Sequence, residues 1–289
     1  MQLVAFYPSS DLGSEPDVLR DYAQAAEELG YSRIAMGEHV LGADPERPGG
    51  WQGAYTYEHE WPDPFPAFAY MAAVTERIEL MTGIMILPQR QTVLVAKQAA
   101  QLAVISGNRF ILGIGTGWNA VEYEALGQDF HTRGQRMEEQ ISLLRALWAE
   151  PVVSFAGRWE HVNRAGINPL PPKRDIPIWM GGSNERAIER SGRLGQGWFP
   201  LRLENELVKQ GWRQIRETAE AAGRDPDALG LQCSVMATGD TASQIDAARE
   251  FERLGATHVA LFTGNLNRGR DPQAHLNALT AFAEGMTSR

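Results

Sequence analysis

"RIELMTGIMILPQRQTVLVAKQAAQLAVISGNRFILGIGTGWN", residues 77–119, decides the fold. Its first part, 77–87, is an apolar run of strand length. Residues 92–106 follow with helical spacing of Val, Leu and Ala. Residues 108–115 form a second apolar run rich in Ile and Gly. A strand, a helix and a strand at this spacing join as a parallel pair through a right-handed crossover. The stretch closes on alternating glycines, Gly113, Gly115 and Gly117. That G-x-G-x-G spacing is not the G-x-G-x-x-G of a dinucleotide-binding turn.

The same alternation continues on both sides. Strands are expected at 2–8, 32–40, 176–182, 197–201, 229–238 and 257–264. Helices are expected at 14–30, 63–76, 133–150, 183–194, 204–222, 241–254 and 272–285. In 14–30, Ser14 is placed to cap, Pro16 suits the first turn and Gly30 suits the stop. In 133–150, positions 137, 141, 144 and 148 put apolar groups on one face. Eight strand-then-helix units in one chain predict an α/β fold, a closed (β/α)8 TIM barrel forming a single domain over 1–289. An open doubly wound sheet would need a glycine-rich turn after the first strand, and "FYPSSDLGSE" has none. Two insertions break the rhythm. Residues 41–62 follow strand two, on the face where barrels build active sites. Residues 149–175 precede strand five, on the opposite face, and carry a hairpin at 152–162 around Ala156-Gly157.

Composition narrows the function. With 43% hydrophobic and 22% charged residues, the chain of 289 can bury a large core. A net charge of -9 argues against nucleic-acid partners, which need clustered Lys and Arg. The single cysteine, Cys233, excludes an internal disulfide and a cysteine-based metal site. No membrane span and no basic-then-apolar leader is visible, so a cytoplasmic protein with a small-molecule substrate is expected.

Candidate chemistry gathers at the strand ends. Strand two ends in Glu38-His39. Imidazole exchanges protons near neutral pH, so His39 is the candidate acid-base group, with Glu38 to orient it; a core histidine satisfied by backbone is the competing reading. Strand five ends in Gly181-Gly182-Ser183. Ser183 is placed to cap the next helix, whose N-terminus would suit a phosphate; an ordinary capped helix start is the alternative. Gly83, inside strand three, marks a bulge or a close backbone approach, or is simply tolerated. Glu122 and Glu124 sit two apart in "EYE" and would diverge on a helix. They read as a solvated face around a buried Tyr123 rather than a catalytic carboxylate pair. No paired histidine spacing is present, and no metal is expected.

Assembled, these segments resemble the luciferase-like flavin and deazaflavin oxidoreductases, and most of all the branch that uses coenzyme F420. The likeness rests on "MGEHV" at 36–40, on 82–127, on "FHTRGQRMEEQISLLRALW" at 130–148 and on "IPIWMGGSNERAIERSGRLGQGWFP" at 176–200. It implies a barrel enzyme that moves a hydride between the deazaflavin C5 and a small organic substrate. The alternatives are an FMNH2- and oxygen-dependent monooxygenase on the same barrel and a cofactor-binding protein without turnover. By resemblance, Thr116, Gly117, Trp118 and Asn119 lie beside the cofactor, although a large aromatic such as Trp118 could instead be core. Gly83-Ile84 corresponds to a bulge with a cis non-prolyl peptide behind the ring. Gly181, Gly182 and Ser183 take the phosphate, and His39 with Glu38 stands at the reacting centre. Loop 41–62, with Trp51, Tyr55, Tyr57 and Trp61, would cover the substrate. A homodimer through barrel helices is expected.

Overall fold

The computed structural model describes residues 1–200, 204–264 and 271–288. Eight parallel strands close a barrel: β1 Gln2–Tyr7, β2 Arg33–Met36, β3 Glu79–Thr82, β4 Phe110–Gly115, β5 Ile178–Gly181, β6 Gly197–Phe199, β7 Gly230–Met236 and β8 His258–Phe262. Closure runs from Val4 opposite Arg33 around to Gln2 opposite His258. The ladder of β3 stops at Thr82 and resumes at Met85–Ile86 against β4. The break holds a cis peptide bond between Gly83 and Ile84. The predicted barrel is therefore present, with its bulge where expected.

Strand two is shorter than its sequence suggests. It ends at Met36, and Glu38 and His39 stand on the loop above it. Two caps also differ. Helix Pro16–Glu28 has Glu15 at its N-cap, because the Ser14 hydroxyl donates to Glu60 Oε1 at 2.5 Å. Helix Glu185–Leu194 is capped by Asn184, whose side chain accepts from the Ala187 amide at 2.9 Å, not by Ser183. Glu15 takes the cap position through its extended backbone, with no side-chain hydrogen bond to the helix, whereas Asn184 supplies a side-chain acceptor.

Most of the core lies between barrel and helices. In helix Arg133–Ala149 the predicted apolar face is buried: Met137, Ile141, Leu144 and Trp148. The Trp148 indole donates to the Ala96 carbonyl and locks that helix onto helix Thr92–Ile105. Inside the barrel, Val4, Ala35, Met81, Ile111, Trp179, Phe199 and Ala260 form a separate cluster. Its floor is polar: buried Arg33 pairs with Glu79 at 2.9 Å and lies 4.6 Å from the Trp179 ring centre, with His258 edge-on to the same ring.

The two insertions behave differently. Residues 41–62 form turns without helix or strand and fold over the C-terminal mouth of the barrel. Residues 149–175 form a hairpin, Val153–Ala156 against His161–Ala165, whose turn lies later than expected, after Ala156. Glu139 of helix Arg133–Ala149 accepts the amides of Arg158, Trp159 and Glu160, and Thr92 donates to Glu160. This insertion packs on the outside of those helices, and none of its residues lines the cavity at the mouth. Among the described residues, no helix is long and apolar enough to cross a membrane.

Candidate active site

At the C-terminal ends of the strands lies a cavity of about 220 Å³. Phe6, Trp61, Ile84, Ile86, Trp118 and Phe262 supply its apolar wall, and Glu38, His39, Gly83 and Gly117 also line it. Glycines make the wall possible. A Cβ on Gly115 would lie 2.3 Å from Ile84 Cδ1, and one on Gly181 would lie 2.9 Å from Ile84 Cγ2. Ile84 therefore seats against the ends of β4 and β5 only because both positions lack side chains. Gly117 has φ +63° and lies as close to Ile86.

His39 is where the sequence placed it, but its partner is not. Its Nδ1 lies 3.4 Å from both carboxylate oxygens of Glu122. Glu122 is fully buried and also accepts from the Val40 amide at 2.8 Å and from Gln89 Nε2 at 3.3 Å. Burial pushes this carboxyl up, but the hydrogen bonds and charge of His39, with those of Val40 and Gln89, more than offset it and hold it below the usual range. An ionised carboxylate only accepts, so the His39 ring donates to Glu122 through Nδ1, and Nε2 is left for another partner.

Glu38 does not orient His39. Its carboxylate accepts from the Ile86 amide at 3.0 Å and from Arg90 Nε at 3.2 Å, and it pairs with Arg90 Nη2, which also meets Asp63. Burial pushes the Glu38 carboxyl up, and the Arg90 charge opposes that rise. Glu38 thus ties the end of β2 to the end of β3. The reading of Glu122 as solvated is corrected as well; Glu124 is exposed and Tyr123 is buried, as expected.

The remaining candidates divide. Trp118 is half-exposed on the cavity wall and stacks on Trp51, with centroids 5.7 Å apart. Asn119 is buried behind it, capping helix Ala120–Ala125 through the Val121 amide and donating to the Tyr55 hydroxyl at 2.7 Å. The Thr116 carbonyl accepts from Tyr123. Gly182 and Ser183 lie beyond Gly181, outside the cavity lining, and the Gly182 carbonyl accepts from Trp198. The lid loop contributes Tyr55, stacked on His39 at 3.8 Å, and Trp61, edge-on at 4.7 Å. Tyr57 is 62% exposed and takes no part. Among the described residues, no cluster of three or more His, Cys, Asp or Glu is arranged to hold a metal.

Neither Glu122 nor the pairing of Arg90 with Glu38 was expected here, and Tyr55, expected on the covering loop, was not expected stacked on His39. One signal was available for Glu122. Asn119-x-x-Glu122 has capping-box spacing, which starts a helix at 120 and puts Glu122 in its first turn.

The site thus joins an apolar cavity at the barrel mouth, a cis bulge at β3 and an acid-backed histidine above β2. The match to the luciferase-like monooxygenase family spans residues 3–286. The chain belongs to that family. Its members are oxidoreductases built on this barrel. The F420-dependent hydroxymycolic acid dehydrogenase of Mycobacterium tuberculosis is 28% identical over 290 residues, covering 93% of this chain and 76% of that one. The F420-dependent glucose-6-phosphate dehydrogenase of Mycolicibacterium gilvum is 29% identical over 245 residues, covering 81% and 68%. Among solved structures, an F420-dependent secondary alcohol dehydrogenase with an F420-acetone adduct superposes with TM-score 0.82 at 15% identity, covering 98% and 97%. At that identity, this last likeness speaks for the shared fold.

Proposed function

We propose that this chain is an F420-dependent oxidoreductase acting on a small organic substrate, with His39 as its acid-base group and Glu122 as the carboxylate behind it. The observation that carries this reading is the His39–Glu122 pair on the wall of an apolar cavity at the barrel mouth. The wall suits a planar, oxygen-bearing ring. Ile84 seats in a cradle that a Cβ at 115 or 181 would fill, and the Ser9 hydroxyl and Trp61 indole N–H are buried without a hydrogen-bond partner among the described residues.

On this reading Gly83, Ile84, Gly117 and Trp118 hold the ring. Thr116 and Asn119 support that wall from behind. Gly181, Gly182 and Ser183 take the phosphate ahead of helix Glu185–Leu194. A deazaflavin bound there supplies a hydride donor or acceptor at C5. His39 Nε2 takes the hydroxyl proton of an alcohol or returns one to a carbonyl oxygen. Glu122 holds the tautomer and stabilises the charged imidazole. Tyr55 and Trp61 exclude water from it. An FMN-dependent monooxygenase is the second reading, favoured by the same apolar wall.

Titration of the purified protein with F420 and, separately, with FMN decides between them, followed by fluorescence quenching and anaerobic reduction. Micromolar binding of F420 alone is expected. Tight FMN binding with oxygen consumption would move the chain to the second reading.

A homodimer is part of the proposal. Helix Thr92–Ile105 exposes Val93, Leu94, Val104 and Ile105 at 39–52% on one outer face. Leu94→Glu is expected to convert the dimer to a folded monomer in sedimentation velocity. A wild-type monomer would contradict it.

A further inference from the structure

The proposed reaction leaves the substrate class open, and the charges around the mouth narrow it. Among the described residues lining the 220 Å³ cavity, none is Lys or Arg. Arg90 lines a neighbouring cavity but is engaged by Glu38 and Asp63. On the lid, Arg47 faces Glu124 at 3.9 Å. The same lid carries Asp44, Glu46, Glu58 and Glu60. A phosphate group placed in the cavity would lose its water and meet Glu38 with no Lys or Arg in the lining among the described residues, which is unfavourable.

The aromatic groups are built to a tight fit. Trp51 and Trp118 lie nearly parallel, 18° apart, with Gly53 beside both. A Cβ at 53 would come within 2.1 Å of Trp51 and 2.9 Å of Trp118. Tyr55 packs edge-on against Trp51, Trp61 and Trp118, so the lid backs the cavity with packed rings and leaves the buried Trp61 indole N–H as a donor at its wall. Flat aromatic walls with one acid-base nitrogen recognise an apolar body carrying one oxygen function.

From this, and resting on the function proposed above, we infer that the site takes a neutral alcohol or carbonyl compound with an apolar or aromatic body and rejects phosphorylated substrates. Trp118 and Trp61 grip that body, and His39 meets its single oxygen.

The test is calorimetric titration of the cofactor-free protein with cyclohexanol, 1-phenylethanol and glucose 6-phosphate, repeated with F420 or FMN present. Saturable binding of the two neutral alcohols is expected, with no heat from glucose 6-phosphate at the same concentrations. Trp118→Ala should weaken alcohol binding at least tenfold, and Trp118→Phe should restore most of it. Glucose 6-phosphate binding as tightly as the alcohols would overturn the inference. So would silence toward both alcohols in every form, or alcohol affinity unmoved by Trp118→Ala. Because the first titration needs no cofactor, failure to bind F420 would count against the cofactor reading and leave this result standing.

Discussion

His39 and Glu122 are 83 residues apart in the chain and meet at 3.4 Å, while Glu38, adjacent to His39 in sequence, faces Arg90 instead. The two carboxylates therefore divide their work: one sets the imidazole, the other sets the loop that holds it.

Separate substitutions should expose that division. Glu122→Gln keeps the shape but removes the charge, and turnover with any verified substrate should fall roughly 10–100-fold. Cofactor affinity should stay within about threefold. Arg90→Met should act on stability instead, because it leaves the buried Glu38 carboxylate without its cation. A loss of about 3 kcal/mol is expected in denaturant unfolding, partly recovered by adding Glu38→Gln. If Glu38→Gln alone abolished turnover in a stable protein and Glu122→Gln did not, the assignment of roles would be reversed.

The Glu122 carboxyl also has a stability signature. It is held below its ordinary value of 4.5, so its contribution is complete above that pH and disappears as pH falls through the lower folded value. Glu122→Gln should remove that part of the acid transition.

Ile84 and Gly115 form a matched pair. Gly115→Ala would drive a methyl into Ile84, for which about 1–3 kcal/mol of destabilisation is expected. It should also weaken cofactor binding about tenfold. Adding Ile84→Ala should relieve the clash and recover stability. Additive losses in the double variant would show that the two side chains do not meet.

At the opposite end of the barrel, burial, then the Arg33 charge and the N-terminal ammonium, lower the His258 pKa from 6.5 to about 3. The unfolded chain takes up that proton between these values and the folded chain does not. Stability therefore falls as pH drops from about 6.5 toward 3. His258→Gln should flatten the decline of melting temperature between pH 6.5 and 4. An unchanged slope would place the acid sensitivity elsewhere.

The barrel was legible because its signals are local. Runs such as 108–115 and the face Met137–Ile141–Leu144–Trp148 declare their burial through spacing alone. The cavity was half legible. Gly83-Ile84, His39 and Trp118 stand where strand-end logic put them. The pairings were not legible, since sequence adjacency favoured Glu38 over a carboxylate that reaches His39 only after the barrel closes. Glu122 was read as solvated because a lone polar residue in a short helix has no periodic partner to reveal its buried face. Ser14 and Ser183 lost their caps for a similar reason: competition with Glu15 and Asn184 is settled by backbone angles, not by residue type.

Asn119 has a consequence for how this protein can vary. Its amide oxygen starts helix Ala120–Ala125, and its amide nitrogen holds the Tyr55 hydroxyl. An aspartate could do the first but, when ionised, could not donate for the second. A serine could cap but lacks the length and second polar atom to do both. Positions 55 and 119 are therefore coupled in this chain: removing the tyrosine hydroxyl, as in Tyr55→Phe, leaves the residue at 119 with only the helix start to serve, so Asn119→Asp should cost less in that background than in the wild type.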